Sequence, residues 1–176
     1  SEIWLIKTNS VGDTIWTKTF VGLDSDYAYT VDQTTDGGYV ILAQTVSFSS
    51  YDYKVWLIKT NSSGDTLWTK TLGDSIEGKS SGQQTSDGGY IILGTTKSTI
   101  SGKDIFMIKT DNLGNTLWTK TYGGEDDDIG NSIKQTSDGG YIITGQTRSF
   151  SSGDWDLWLL RTNTLGDTLW TRTFGD

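Results

Sequence analysis

The sequence contains no cysteine and no histidine. Without cysteine there are no disulfides, no iron–sulfur clusters and no thiol nucleophile. Without histidine the usual imidazole base and most zinc sites are excluded. Basic residues are also scarce, 14 Lys and Arg against 22 Asp and Glu, for a net charge of -8. That balance removes the electrostatic term that dominates affinity for phosphate backbones and anionic lipid, so nucleic acid is not an expected partner. No apolar run approaches the roughly 20 residues of a membrane helix, so membrane insertion is not expected either. Residues Ser1 to Ile6 lack the basic-then-apolar layout of a signal peptide, and an exported form would have had its signal removed or carried outside this stretch. What is present suffices for a core: 176 residues, 34% hydrophobic and 12% aromatic, fit one ordinary domain or two small ones and exclude disorder.

The chain repeats itself. Asp36-Gly37-Gly38-Tyr39, Asp87-Gly88-Gly89-Tyr90 and Asp138-Gly139-Gly140-Tyr141 follow one another at steps of 51 residues. A second phrase ends at Trp16, Trp68, Trp118 and Trp170, at steps of 52, 50 and 52. Self-similarity near 50 residues marks a modular β or solenoid architecture.

Each unit divides into four short strands. In the last one, a polar stretch from Ile129 to Thr136 runs into the glycine pair, a hairpin signal because glycine supplies positive φ. Tyr141 to Thr147 follows, rich in β-branched and aromatic residues. After a Ser-rich loop, Leu157 to Thr162 is apolar on both faces, as expected of a strand between two neighbouring sheets. Leu165-Gly166-Asp167 then turns the chain into a fourth strand, Thr168 to Thr173. No segment sustains helical apolar spacing, and 22 glycines disfavour long helices. The expected fold is all-β, a β-propeller-type array of four-stranded antiparallel blades, with a stacked solenoid as the alternative.

The phrase Ile58-Lys59-Thr60-Asn61-Ser62-Ser63-Gly64-Asp65-Thr66-Leu67-Trp68 resembles the blade phrase of quinoprotein-like propellers, in which an Ala, an Asp and a Thr-Gly pair precede a docking Trp four residues after the Gly. Gly12 to Trp16, Gly114 to Trp118 and Gly166 to Trp170 keep that spacing, while the family's Asp falls on Thr8, Thr60, Thr110 and Thr162. Sialidase-type Asp-box phrases are similar but place the Trp one residue sooner, and kelch glycine pairs close a strand where these open one. The nearest flavour is that of the Thr-, Gly- and Trp-rich propeller repeats of secreted and cell-surface proteins of bacteria and archaea. The resemblance implies a propeller and does not imply a quinone.

The phase of the repeat makes residues 1–23 a half blade of strands three and four, followed by complete units at 24–73, 74–124 and 125–176. Three and a half blades fall short of the four to eight of a closed ring. The apolar row Ile3, Trp4, Leu5 and Ile6 would then lie on an unpaired edge, which natural proteins cover. The expected cover is the chain itself, as a ring-completing homo-oligomer or a fibre, or else the rest of a longer chain.

Most recurring residues have structural readings. Trp16, Trp68, Trp118 and Trp170 recur in every unit and are assigned to packing rather than to sugar stacking. Lys18, Lys70, Lys120 and Arg172, two residues on, share their face and are assigned to cation–π or stem contacts. Lys7, Lys59, Lys109 and Arg161 end the third strand with the same regularity. In the loop before the first strand, Asp24, Asp26, Glu77, Asp126 and Asp128 offer oxygens of the kind a hard cation such as Ca²⁺ takes. No full ligand set is present, so a solvated acidic rim is the favoured reading and no cofactor is expected beyond that cation. Asn61-Ser62-Ser63 matches a glycosylation sequon, which has meaning only in an exported context.

What breaks the repeat is Trp155. With Phe48, Tyr51, Tyr53 and Phe150 it forms an aromatic, Ser-rich set on the loops joining strands two and three, the candidate ligand rim. A carbohydrate is the partner such aromatics would stack on. Composition and near-identical units favour a non-enzymatic extracellular or cell-surface structural module that self-assembles. A carbohydrate- or ligand-binding propeller is the alternative, and a fragment of a propeller enzyme the third reading.

Overall fold

A computed structural model describes residues 2–22, 25–46, 53–73, 76–97, 102–151 and 153–175. The described chain is all-β, with no helix and therefore none long and apolar enough to cross a membrane. Its fourteen strands are β1 (Ile3–Thr8), β2 (Thr14–Phe20), β3 (Asp26–Gln33), β4 (Tyr39–Thr45), β5 (Lys54–Thr60), β6 (Thr66–Leu72), β7 (Ile76–Gln84), β8 (Tyr90–Lys97), β9 (Lys103–Thr110), β10 (Thr116–Tyr122), β11 (Asp128–Gln135), β12 (Tyr141–Thr147), β13 (Asp156–Thr162) and β14 (Thr168–Phe174). They form one two-stranded sheet, β1-β2, and three four-stranded sheets whose strands pair in chain order: β3 to β6, β7 to β10 and β11 to β14. Every pairing is antiparallel.

The glycine pair builds the hairpin between the first two strands of each complete sheet, and its two glycines serve different needs. Gly37 has φ of 81°, the left-handed region that side chains avoid, and donates its N–H to the Thr34 carbonyl at 2.8 Å. Gly38 has ordinary φ, but a Cβ there would overlap the Thr60 carbonyl oxygen. Asp36 fixes the turn by accepting from the Thr34 hydroxyl at 2.6 Å and from the Gly38 N–H at 3.0 Å. The turn between the last two strands is built on an Asx side chain. Asn61 Oδ1 accepts from the N–H groups of Ser63 and Asp65, and its amide donates to Asp65. Asn9, Asp111 and Asn163 hold the same turn elsewhere.

The chain divides into two compact units, Ser1–Asp74 and Ser75–Asp176. In the first, Ile3, Leu5 and Phe20 of the two-stranded sheet pack on Ile41, Ala43, Trp56 and Ile58 of the β3–β6 sheet, with Trp16 and Tyr39 at the margin. In the second, Ile91, Leu93, Ile105 and Met107 pack on Ile133, Tyr141, Ile143, Trp158 and Leu160, with Trp118 and Tyr122 at the margin. Burial of such side chains contributes about 1.5–3 kcal/mol each, so these two seams hold the sheets together.

One expectation from the sequence needs correction. Leu157 to Thr162 reads as a strand covered on both faces, yet Leu157 is exposed and Leu159 only half-buried, while Trp158 and Leu160 are buried. Packing against β7–β10 covers one face of this sheet, and within the second unit nothing described covers the face that Leu157 and Leu159 share.

Candidate assembly surfaces

Two sheet-to-sheet seams use one device. Trp16 of β2 lies over the turn before β6, where a Cβ on Gly64 would come within 2.8 Å of its ring. Lys18, two residues on, reaches Asp65 beside that glycine at 2.7 Å. Tyr39 meets the Trp16 ring edge-on at 5.8 Å between centroids. In the second unit Trp118 lies on Gly166 (3.0 Å from a Cβ there), Lys120 pairs with Asp167 at 2.9 Å, and Tyr141 meets Trp118 edge-on at 6.0 Å. The Tyr122 hydroxyl adds a bond to the Gly166 carbonyl, and burial pushes its pKa well up. In each unit, then, one sheet offers Trp and Lys and the other receives them on Gly and Asp.

A second recurrent lock closes each complete sheet on itself. Lys59, buried at the end of β5, donates to the Thr60 carbonyl at 2.8 Å and pairs with Asp36 of the hairpin turn at 2.9 Å. Lys109 with Asp87 and Arg161 with Asp138 repeat it. The Thr34 hydroxyl and then Lys59 hold the Asp36 carboxyl down to about 2. Asp87 and Asp138 are lowered as well, Asp138 chiefly by Thr136 and Asp87 by Thr85 and Lys109 against an opposing burial effect. The sequence marks these cations by their regularity but not their partners; the recurring Asp with a cation 22 or 23 residues later is the signal it carries.

The candidate cation residues act as loop anchors. Asp26 and Asp128 are buried: Asp26 accepts from the Gly22 N–H at 2.7 Å, and Asp128 from the Gly124 N–H at 2.9 Å and the Ser149 hydroxyl at 2.7 Å. Glu77 pairs with Lys103 at 2.8 Å, and exposed Asp126 is tied through its backbone to Ser149. Asp24 lies outside the described residues. Among the described residues no group of three or more carboxylates is placed to hold a metal ion.

The aromatic loop set is not gathered at one point. Phe48 and Tyr51 lie outside the described residues. Tyr53 leans on Tyr27 in the first unit, at 6.3 Å between centroids. In the second, exposed Phe150 lies 5.2 Å from the Trp158 ring, and the Arg148 guanidinium sits over half-buried Trp155 at 5.3 Å. Phe150 and Trp158 also line a recess of about 270 Å³ beside Tyr122.

The edge residues divide by face. Ile3 and Leu5 are buried in the first unit's seam, whereas Trp4 and Ile6 point outward and are exposed, Trp4 by 69%. Among the described strands β1 is hydrogen-bonded to β2 alone, while β5, β9 and β13 each have a strand on both sides. Along the free side of β1 run two recesses of about 150 and 390 Å³, lined by Ile3, Leu5 and Ile6 together with Tyr29, Val31 and Tyr39.

The four Trp of the phrase are not equivalent. Trp16 and Trp118 are packed as the sequence predicts, but Trp170 is 41% exposed and its only described ring contact is the Arg172 guanidinium, 5.8 Å from its centroid. Its assignment to buried packing is corrected: within the second unit no described receiving face lies across from β14. Compared with known proteins, the chain matches no family model and no curated protein.

Proposed function

We propose that the chain is a non-enzymatic structural module of propeller-type blades that works by associating with copies of itself at a surface outside the cell. One observation carries this reading: β1, an apolar strand with a recess beside it, has a hydrogen-bonding partner on one side only. An edge of this kind draws in another strand, because unpaired backbone groups beside apolar side chains are costly when buried and adhesive when open. The propeller part of the reading is supported by the chain-order antiparallel sheets and by the same Trp-to-Gly device in both units. The shifted carboxylates belong to recurrent turn locks and recurrent seam ion pairs, which suits a scaffold more than an asymmetric catalytic centre. The extracellular assignment rests on the Thr, Ser, Gly and Asn bias with no cysteine.

Sedimentation equilibrium of the chain from micromolar to millimolar concentration tests the proposal. The expected result is a mass that rises with concentration to a multiple of the protomer. A monomer throughout overturns it.

A further inference from the structure

Beyond the open edge, the structure leaves unmatched both halves of an interface that it forms once within each unit. The half that inserts is defined by register. In the second unit it comprises Ile105 and Met107 of β9 with Trp118, Lys120 and Tyr122 of β10, paired as Ile105 with Tyr122, Met107 with Lys120 and Lys109 with Trp118. In the first unit the same register gives Ile3, Leu5, Trp16, Lys18 and Phe20. Both sets are packed against a neighbouring sheet. In β13–β14 the register is again the same, Leu157 with Phe174, Leu159 with Arg172 and Arg161 with Trp170. Within the second unit nothing described lies across from that set: Leu157, Trp170 and Phe174 are exposed, Phe174 by 53%.

The receiving half is open at the other end of the chain. Trp56 and Ile58, and likewise Trp158 and Leu160, are the buried receiving residues of the two formed seams. Their counterparts in β1 are Trp4 and Ile6, both exposed. Gly64 and Gly166 receive a Trp ring, but a Cβ on Gly12 would meet nothing within 4 Å. Asp65 and Asp167 each pair with a Lys from the neighbouring sheet, whereas the described hydrogen bonds of Asp13 stay within its own turn, to Asn9. The two open halves match in charge, Arg172 standing where Lys18 and Lys120 stand and Asp13 where Asp65 and Asp167 stand.

We infer that the β13–β14 face of one copy docks on the β1–β2 face of a second copy, with Trp170 on Gly12, Arg172 on Asp13, and Leu157 and Phe174 against Trp4 and Ile6. The contact is heterologous, one patch meeting a different patch, so it propagates head to tail and ends either in a closed ring or in a filament. It deepens the self-association proposed above by naming its faces, and it rests on that reading. An apolar centre with a large aromatic and a flanking ion pair is the composition that carries protein–protein affinity.

The test compares the self-association constants of the chain and of its Trp170→Ala, Arg172→Asp, Asp13→Arg and Arg172→Asp/Asp13→Arg variants. The altered side chains are exposed, and thermal melts show whether each variant keeps its fold. Trp170→Ala is expected to weaken association about tenfold or more. Each single charge reversal weakens it, the double reversal restores it, and a mixture of the two single variants gains association that neither has alone. Association that is unchanged in Trp170→Ala and in both charge reversals overturns the docking faces and leaves self-association standing. A chain that is monomeric before any substitution overturns both.

Discussion

The first seam joins two strands to four, the second joins four to four, and the difference shows what the outer strands of a sheet are for. In the second unit β11 lies against β7, β8 and β9. Ile133 is accordingly 1% exposed, and Gly130 fits so closely that a Cβ would press on Leu93 and Ile105. In the first unit the equivalent strand β3 touches β1, and β1–β2 has no further strands to extend over it. Val31, the counterpart of Ile133, is 54% exposed and lines both recesses. The inner half of each seam, the part under the Trp and its Lys, is nevertheless the same in both units. The seam therefore has two separable parts: a lock made by the last two strands, and a cover made by the first two.

The largest expected difference lies in the cover. Ile133→Ala removes side-chain volume from a closed core and is expected to cost about 3 kcal/mol. Val31→Ala removes a half-exposed side chain and is expected to stay within about 0.5 kcal/mol. Urea unfolding of the two variants beside the parent measures both, and equal costs would mean that β3 is covered after all. The lock gives the next contrast. Trp118→Ala empties a half-buried aromatic site between two sheets, at about 2–3 kcal/mol, somewhat below the range for fully buried aromatics. Trp170→Ala in the monomeric state is expected to change stability by less than about 0.5 kcal/mol. Melting at low protein concentration separates the two, and a large effect at Trp170 would mean that its ring is packed within the chain.

Much of this pattern is legible in the sequence, but only its local part. The strands follow from alternating β-branched and aromatic residues between Gly-containing turns, and Tyr141 to Thr147 falls on β12 as expected. The hairpin follows from Asp138-Gly139-Gly140. The need for the second glycine does not, because the Thr162 carbonyl that crowds Gly140 comes from a strand 22 residues later. Nor does the fate of each Trp. Leu117-Trp118-Thr119 and Leu169-Trp170-Thr171 are the same local sequence, and whether the ring is packed depends on what lies across from it. The receiving glycine stands 48 residues after the Trp, in the phrase of the following sheet. That distance is legible only once the repeat is taken as a contact map. The acidic loop shows the converse: Asp128 looks like a ligand because it sits among carboxylates, yet it is buried as a cap for the Gly124 and Ser149 donors. Composition marks the acidity and cannot say which carboxylate turns inward.

A smaller effect distinguishes the receiving glycines. Gly12 and Gly64 both have positive φ, 94° and 80°, so alanine at either costs about 1–2 kcal/mol of backbone strain. At Gly64 the new methyl also meets the Trp16 ring at 2.8 Å, and the ring must shift. Gly64→Ala should therefore destabilise the chain more than Gly12→Ala, by about a further 1 kcal/mol, the low end of overpacking. Combining each with Trp16→Ala sharpens the test. The extra cost at Gly64 should shrink in the Trp16→Ala background, where only the Lys18 stem still stands 2.8 Å from the new methyl, and the cost at Gly12 should not change, since additivity holds only for sites that do not touch.

The last contrast is one that should not appear. The turn carboxylates Asp36, in the first unit, and Asp87 and Asp138, in the second, are all lowered, and Asp36 to about 2. A carboxyl whose pKa is lower folded than unfolded adds stability above its unfolded value, near 3.8, and loses that contribution as pH falls toward the folded value. Acid should thus weaken the turn locks of both units as pH falls below about 4, and that of Asp36 down to about pH 2. This holds because the lock is internal to each complete sheet and does not depend on what covers it. Carboxyl-detected NMR titration is the direct measurement, with Thr34→Val and Lys59→Met each raising the Asp36 midpoint toward the usual carboxylate range, the hydroxyl deletion by more. If Asp36 titrated normally while Asp138 stayed low, the incomplete seam would have to reach the hairpin turn, and the turn lock would not be internal to its sheet.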